Sequence, residues 1–124
     1  MTGSFKDLKV YQLAFDAARE IFKVSKKFPK EETYSLTDQV RRSSRSVCAN
    51  LGEGYRKRLY PKHFTSKMTD ADGEATETSI WLDFALDCEY IDISTHHSLH
   101  EKYQEIGRML NSMALHPEKF TPKQ

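Results

Sequence analysis

Apolar residues recur at helical spacing along nearly the whole chain, and they predict four successive helices. The first run follows the 4-3-4-3-4 spacing of one helix face: Val10, Ala14, Ala17, Ile21, Val24 and Phe28. Ser4 and Asp7 resemble a capping pair, and the Phe28-Pro29 step ends the segment. The first helix is therefore expected over residues 6–28.

Three further helices are predicted over residues 35–59, 61–90 and 94–115. Pro61 separates the second helix from the third, because proline is favoured in the first turn of a helix. No segment alternates between apolar and polar residues with period two, and the connections are short. The pattern predicts an all-α, up-down-up-down antiparallel four-helix bundle, with one domain over residues 1–117 and a short tail over residues 118–124.

The charge is unevenly distributed along a chain whose formal net charge is only +1. Eight Lys and Arg residues but a single acid, Glu53, lie between Arg41 and Lys67. Eight Asp and Glu residues and no Lys or Arg lie between Asp70 and Asp92. An electrostatic partner is therefore expected to meet a local patch instead of a uniformly basic surface.

Cys48 and Cys88 lie within apolar stripes and have no second Cys or His at metal-ligand spacing. Both are predicted to be reduced core residues. In an antiparallel hairpin of helices 2 and 3, facing residue numbers sum to about 120, which separates the two thiols by roughly 24 Å and excludes a disulfide. The N-terminal residues lack a signal-peptide layout and no apolar run is long enough for a membrane span, so a cytoplasmic location without a membrane partner is expected.

The sequence contains no constellation that points to catalysis or to a cofactor. No glutamate has a histidine three residues later, as di-iron bundles require, and no phosphate-binding glycine loop is present. His96, His97 and His100 lie at a polar helix start and are interpreted as solvated surface residues. No catalytic residue, cofactor or metal site is predicted, and the protein is not expected to be an enzyme.

Gly52 and Gly54 interrupt the second helix, and each costs about 1 kcal/mol of helix stability relative to alanine. Two such glycines within one turn predict close backbone approach, from another helix or from a ligand. With Asn50 and Glu53 beside them, they are interpreted as a helix–helix interface in which the Asn and Glu side chains are hydrogen-bonded. All four residues are assigned to a structural or oligomeric motif.

Arg41, Arg42 and Arg45 admit two interpretations. The hairpin register places them close to Glu74 and Glu77, so ion pairs within the chain or between subunits are favoured. The alternative is that these arginines are exposed and contact nucleic acid.

Five cations near the end of helix 2 have no facing acid and form the predicted nucleic-acid site: Arg56, Lys57, Arg58, Lys62 and Lys67. Tyr55, Tyr60 and His63 are interspersed among them. Clustered cations with exposed aromatic rings suit phosphate contact and base stacking. A solvated, solubilising helix end is the alternative.

Three segments together resemble the family of 23S rRNA intervening-sequence proteins, often labelled S23 ribosomal protein. They are FKDLKVYQLA, QVRRSSRSVCANLGEGYRKR, and HF followed by ETSIWLDFALDCEYI, and the resemblance extends from Phe5 to Met113. The family motif falls on Arg41, Arg42, Asn50, Glu53, Gly54, Phe64, Ala71 and Gly73.

The resemblance implies a small bacterial protein encoded within insertions in 23S rRNA genes or elsewhere, which is not a true ribosomal subunit and forms a homopentamer with a central channel. A related branch, the accessory proteins of diversity-generating retroelements, is thought to engage nucleic acid and the reverse transcriptase through a basic pentamer. This chain is nearly neutral, and it has Asp70 where many members have an apolar residue.

The sequence as a whole predicts a non-enzymatic, homo-oligomeric bundle that binds RNA or DNA weakly through the tip between helices 2 and 3. The alternative is a homo-oligomeric protein-interaction scaffold that binds no nucleic acid.

Overall fold

The computed structural model describes residues 3–122, and none of these residues lies in a β-strand. Four α-helices fill most of this range: α1 (Lys9–Ser25), α2 (Leu36–Arg56), α3 (Pro61–Asp87) and α4 (Ile93–Leu115). Three short 3-10 helices accompany them, at Phe5–Asp7, Lys30–Glu32 and Pro117–Lys119. Residues 1, 2, 123 and 124 of the predicted domain and tail lie outside the described residues.

The predicted capping pair caps the first 3-10 helix instead of α1. The hydroxyl of Ser4 accepts a hydrogen bond from the Lys6 amide, and Asp7 Oδ2 accepts one from the Ser4 amide at 3.0 Å. Leu8 then adopts an extended conformation (φ −68°, ψ 130°), so the α-helix cannot begin before Lys9. The helix predicted to begin at residue 6 is thus a 3-10 turn followed by α1.

The first three α-helices each end three residues before their predicted ends. α1 ends at Ser25, α2 at Arg56 and α3 at Asp87, whereas residues 28, 59 and 90 were expected. After α3, Glu89 has a positive φ of 63°, and the Tyr90 amide donates back to the Ala85 carbonyl at 2.8 Å. A left-handed residue with a backward hydrogen bond is a common helix ending, here achieved without glycine.

The helices pack in ring order, each antiparallel to the next. Between α2 and α3, Ser43 faces Thr78 and Glu53 faces Lys67, so facing residue numbers sum to 120 or 121. Between α3 and α4, Thr65 donates to the Ala114 carbonyl, while Asp83 contacts His96. The all-α, four-helix fold predicted from the sequence is confirmed.

The core lies along the common axis of the four helices. Its largest fully buried side chains are Phe64, Ile21, Leu51, Met68, Leu82, Leu99, Ile106 and Leu110. A pair of hydroxyls, those of Thr78 and Ser43, lies within it. Thr78 Oγ1 is 2.8 Å from both Ser43 Oγ and the Glu74 carbonyl oxygen, so both hydroxyls of this pair have a hydrogen-bond partner. Within residues 3–122, no helix combines the length and the apolar character that a membrane crossing needs.

Candidate nucleic-acid interface

The turn between α2 and α3 presents four cations, Arg56, Lys57, Arg58 and Lys62, which we call the cationic tip. Three backbone hydrogen bonds hold this turn: the amides of Lys57, Arg58 and Tyr60 donate to the carbonyls of Gly54, Tyr55 and Lys57, respectively. Arg56, Lys57 and Lys62 are exposed, and none of the four forms an ion pair with any residue between 3 and 122. The tip is therefore a local concentration of uncompensated positive charge.

Aromatic rings lie directly beside these cations. The Arg58 guanidinium is 4.0 Å from the Tyr55 ring centroid, and its Nη1 donates to the Tyr55 carbonyl at 2.9 Å. Tyr60 is 57% exposed and meets His63 edge to face, with ring centroids 6.1 Å apart. Arg58 is thus held against the end of α2 by Tyr55, while the Tyr60 ring is available for stacking.

Lys67 does not belong to this free cationic surface. Its Nζ donates to Glu53 Oε1 at 2.8 Å, and this hydrogen bond raises the pKa of Lys67. The prediction that Lys67 faces no acid was therefore wrong. The sequence does contain a signal for this pair, because the antiparallel register that places Arg45 near Glu74 also brings residue 53 opposite residue 67.

Both glycines of α2 make close contacts inside the chain. A Cβ added to Gly54 would collide with the Met68 side chain and would lie 2.8 Å from Lys67 Cβ on α3. A Cβ added to Gly52 would lie 3.3 Å from the Phe5 ring of the first 3-10 helix. These close contacts within one chain account for both glycines, so no contact with a second copy of the chain is needed to explain them.

The two polar residues of the same motif bind different elements. Asn50 Nδ2 donates to the Ser46 carbonyl at 3.0 Å, within its own helix. Glu53 accepts from Lys67 and so joins α2 to α3. Of the two side chains, Glu53 alone makes a hydrogen bond between helices in the described chain.

Arg41 and Arg45 differ in their surroundings. Arg41 lies on the side of α2 that faces α1: its Nε donates to Ser25 Oγ at 2.8 Å, and its guanidinium is 4.6 Å from the Phe22 ring centroid. The Arg45 guanidinium is 5.5 Å from the centroid of that ring, but Arg45 also borders the polar crevice that contains Glu74 and Glu77 of α3. Neither arginine forms a direct ion pair within residues 3–122, so the pairing with α3 expected inside the chain is not made, while pairing between subunits stays a prediction.

Arg42 lies on the other side of α2, in a polar crevice of about 570 Å³ that includes Glu74 and Glu77. Partial burial raises the pKa of Glu74, and repulsion from Glu77 adds to the rise. Attraction by Arg42 lowers the pKa of Glu74 but does not cancel these effects. Arg42 thus interacts with the α3 acids through space, without a direct ion pair in residues 3–122.

Comparison with known proteins decides the family. The sequence model described as 23S rRNA-intervening sequence protein matches residues 6–112. The chain belongs to this family. A solved structure with the same fold is that of a protein of unknown function from the S23 ribosomal protein family of Bacteroides thetaiotaomicron VPI-5482, with a TM-score of 0.75. The two chains are 26% identical over 85% of this chain and 94% of that one, and no curated protein matches.

The two cysteines of this family member differ in environment. Cys48 is partly buried beside α1, and burial raises the pKa of its thiol to about 11. Cys88 is exposed, contrary to the prediction that both thiols belong to the core. It lies just beyond the last residue of α3, one turn after Phe84, which is exposed as well.

We expect thiol reagents to distinguish the two cysteines. At pH 7.5 Cys48 should react at least about tenfold more slowly than Cys88, because the thiolate is the reactive form and burial suppresses it. Stopped-flow titration with Ellman's reagent should resolve a fast and a slow phase. Cys88→Ser should remove the fast phase and Cys48→Ser the slow one; a single phase in the wild type would contradict this assignment.

The histidines at the start of α4 contact acids. His96 Nε2 lies 2.8 Å from Asp83 Oδ1 on α3, and His97 Nε2 lies 2.9 Å from Glu101 Oε1. The rings of His96 and His100 stack with centroids 5.7 Å apart. Within residues 3–122, no three His, Cys, Asp or Glu side chains are grouped closely enough to hold a metal ion.

Proposed function

We propose that this member of the 23S rRNA-intervening sequence protein family is a non-enzymatic cytoplasmic protein that binds RNA or DNA weakly through the cationic tip. The observation that carries the proposal is the set of four cations at one turn, none of which has an acid partner in the described chain. The neighbouring Tyr60 ring offers a surface on which a base stacks.

The expected affinity is low for a single chain. Four phosphate contacts supply little binding free energy at physiological salt, where contacts that do not read sequence typically give dissociation constants of roughly 10⁻⁴ to 10⁻⁶ M. A homo-oligomer would present several copies of the tip to one strand and so raise the apparent affinity.

The state of one nucleophile candidate, Cys48, supports the non-enzymatic part of the proposal. The Cys48 thiol, with its pKa raised to about 11, stays protonated near neutral pH and is therefore a poor nucleophile.

Neutralising the tip tests its role in binding. The triple variant Arg56→Ala, Lys57→Ala, Lys62→Ala should bind a labelled mixed-sequence RNA at least about tenfold more weakly at low salt, because three phosphate contacts are lost. Fluorescence anisotropy would give the dissociation constants.

A matched control removes the same charge from the opposite end of the bundle. Lys23, Lys27 and Lys30 are exposed and lie near the C-terminal end of α1, away from the tip. Their triple alanine variant should retain wild-type affinity within about twofold, since it loses no tip contact. Equal losses in both triple variants would mean that net charge, and not the tip, governs binding.

A second candidate function is a homo-oligomeric scaffold, with a pentamer implied by the family resemblance. The observation that favours it is the exposure of two phenylalanines between α1 and α2, with Phe15 45% and Phe22 37% exposed. An exposed apolar patch rimmed by polar groups commonly marks a protein interface. The mass in solution, measured by light scattering, tests this proposal; a monomer would exclude it.

A further inference from the structure

Two phenylalanines and their surroundings form an apolar groove between α1 and α2. The groove has a volume of about 320 Å³ and is lined by Tyr11, Phe15, Ala18, Arg19, Phe22, Arg45 and Cys48; we call it the α1–α2 groove. Its floor is aromatic and aliphatic, whereas its rim carries guanidinium groups. Of the two groove arginines, Arg19 contacts Asp16 at 3.4 Å. Arg45 forms no ion pair within residues 3–122.

Cations already cover the aromatic rings of the groove. Arg19 lies 5.1 Å from the Phe15 centroid, while Arg41 and Lys26 lie 4.6 and 4.8 Å from the Phe22 centroid. A nucleobase would have to displace these groups before it could stack. Arginine and aromatic residues that share a concave apolar surface are instead characteristic of the centres of protein interfaces.

A complementary surface lies on the outward face of α3. It consists of Gly73, Thr76, Ile80, Asp83, Phe84 and Asp87, which we call the α3 ridge. Ile80 and Phe84 are 46% and 52% exposed and lie one helical turn apart on the same face. The ridge acids belong to a segment without any Lys or Arg. Asp83 contacts His96 of α4, whereas Asp87 forms no ion pair within residues 3–122, so the ridge is apolar and negative where the groove is apolar and positive.

Gly73 provides an independent indication that something approaches this ridge. It is exposed in the interior of α3, and a Cβ added there would have no neighbour within 4 Å. Gly52 and Gly54, in contrast, are each packed against another part of the chain. A glycine that weakens a helix without any contact inside the chain is explained if a second molecule packs closely against the backbone there.

We propose that the α3 ridge of one copy docks in the α1–α2 groove of a second copy. This inference rests on the homo-oligomer proposed above and identifies the surfaces that form it. The exposed phenylalanine and isoleucine of the ridge cover the exposed phenylalanines of the groove, and the ridge aspartates meet the groove arginines. Because the two surfaces differ and belong to the same chain, the contact is heterologous, and repeating it builds a ring or a filament.

Charge reversal on each surface tests the pairing. The groove variant carries Arg19→Glu and Arg45→Glu, and the ridge variant carries Asp83→Lys and Asp87→Lys. In each variant, like charges face each other across every contact, so the mass should fall from the wild-type oligomer to the monomer. Light scattering gives the mass, and far-ultraviolet circular dichroism checks that each variant keeps its helices.

An equimolar mixture of the two variants provides the decisive comparison. The reversed groove should accept the reversed ridge, and the unaltered groove should accept the unaltered ridge, so species larger than the monomer should reappear. Gly73→Arg offers a third variant that needs no change in the core, and it should also reduce the mass to that of a monomer.

The failures of the two proposals are distinguishable. An oligomeric wild type whose mass is unchanged in all three variants would overturn the groove–ridge pairing alone. Monomeric variants that fail to associate when mixed would likewise overturn the pairing. A wild type that is monomeric at about 100 μM, a concentration that reveals micromolar association, would overturn both the oligomer and the pairing.

Discussion

Gly54→Leu is expected to lower the free energy of unfolding by about 3 kcal/mol or more. The site has no room for a side chain, because even a Cβ would collide with the Met68 side chain and crowd Lys67 Cβ. Those two residues belong to α3, so the helices must separate along their contact to admit leucine. With total stabilities of about 5–15 kcal/mol for single domains, such a loss would leave the bundle barely folded.

Urea unfolding monitored by circular dichroism would measure this loss, and Gly73→Ala is its matched control. Gly73 is also a glycine within a helix, but open space surrounds it. Alanine there should raise the free energy of unfolding of the isolated chain by up to about 1 kcal/mol, through better helix propensity. If Gly54→Leu left the free energy of unfolding unchanged, the close contact at Gly54 would be wrong.

Phe64→Ala is expected to lower the free energy of unfolding by about 3–5 kcal/mol. Phe64 is 1% exposed, lies in the first turn of α3 and stacks on Phe120 with ring centroids 5.4 Å apart. Alanine would leave a cavity at the end of the core that supports the cationic tip. The C-terminal tail packs through Phe120 onto this ring and should loosen with it.

The corresponding control is Phe84→Ala on the exposed face of the same helix. Phe84 is 52% exposed, so its removal should change the free energy of unfolding of the isolated chain by no more than about 1 kcal/mol. The denaturation midpoints of the two variants, measured under identical conditions, show whether the loss of stability comes from the burial of Phe64 or from the removal of any phenylalanine. A larger effect at Phe84 than at Phe64 would contradict the described core.

The fold could be predicted from the sequence because core positions repeat at helical spacing. Val10, Ala14, Ala17 and Ile21 are all buried, as their spacing indicated. The register of the α2–α3 hairpin could also be predicted from the sequence, since it depends only on where the turn lies along the chain.

The site was harder to predict because it depends on the direction of side chains around a helix. The register places Arg41 and Arg45 at the level of the α3 acids, but it does not show that Arg41 binds Ser25 on the α1 side. Nor does it show that Arg45 borders both the Phe22 ring and the crevice of the α3 acids without a direct ion pair, an arrangement that no pattern of charges revealed.

The exposed side of α3 and the helix ends caused the remaining errors. The apolar stripe that contains Ile80, Phe84 and Cys88 does not face the core: Ile80 and Phe84 are exposed inside the helix, and the Cys88 thiol is exposed with them. The left-handed conformation of Glu89 accompanies the end of α3 at Asp87, and glutamate gives no sequence signal for it.

The salt dependence of RNA binding tests most directly whether the cationic tip contacts phosphates. The dissociation constant for a labelled single-stranded RNA should be measured across a series of salt concentrations for the wild type and the tip triple alanine variant. Each lost phosphate contact reduces the slope of log K against log salt by about 0.7, so the variant's slope should be shallower by about 2. Equal slopes, or no binding by the wild type at the lowest salt, would contradict the proposal.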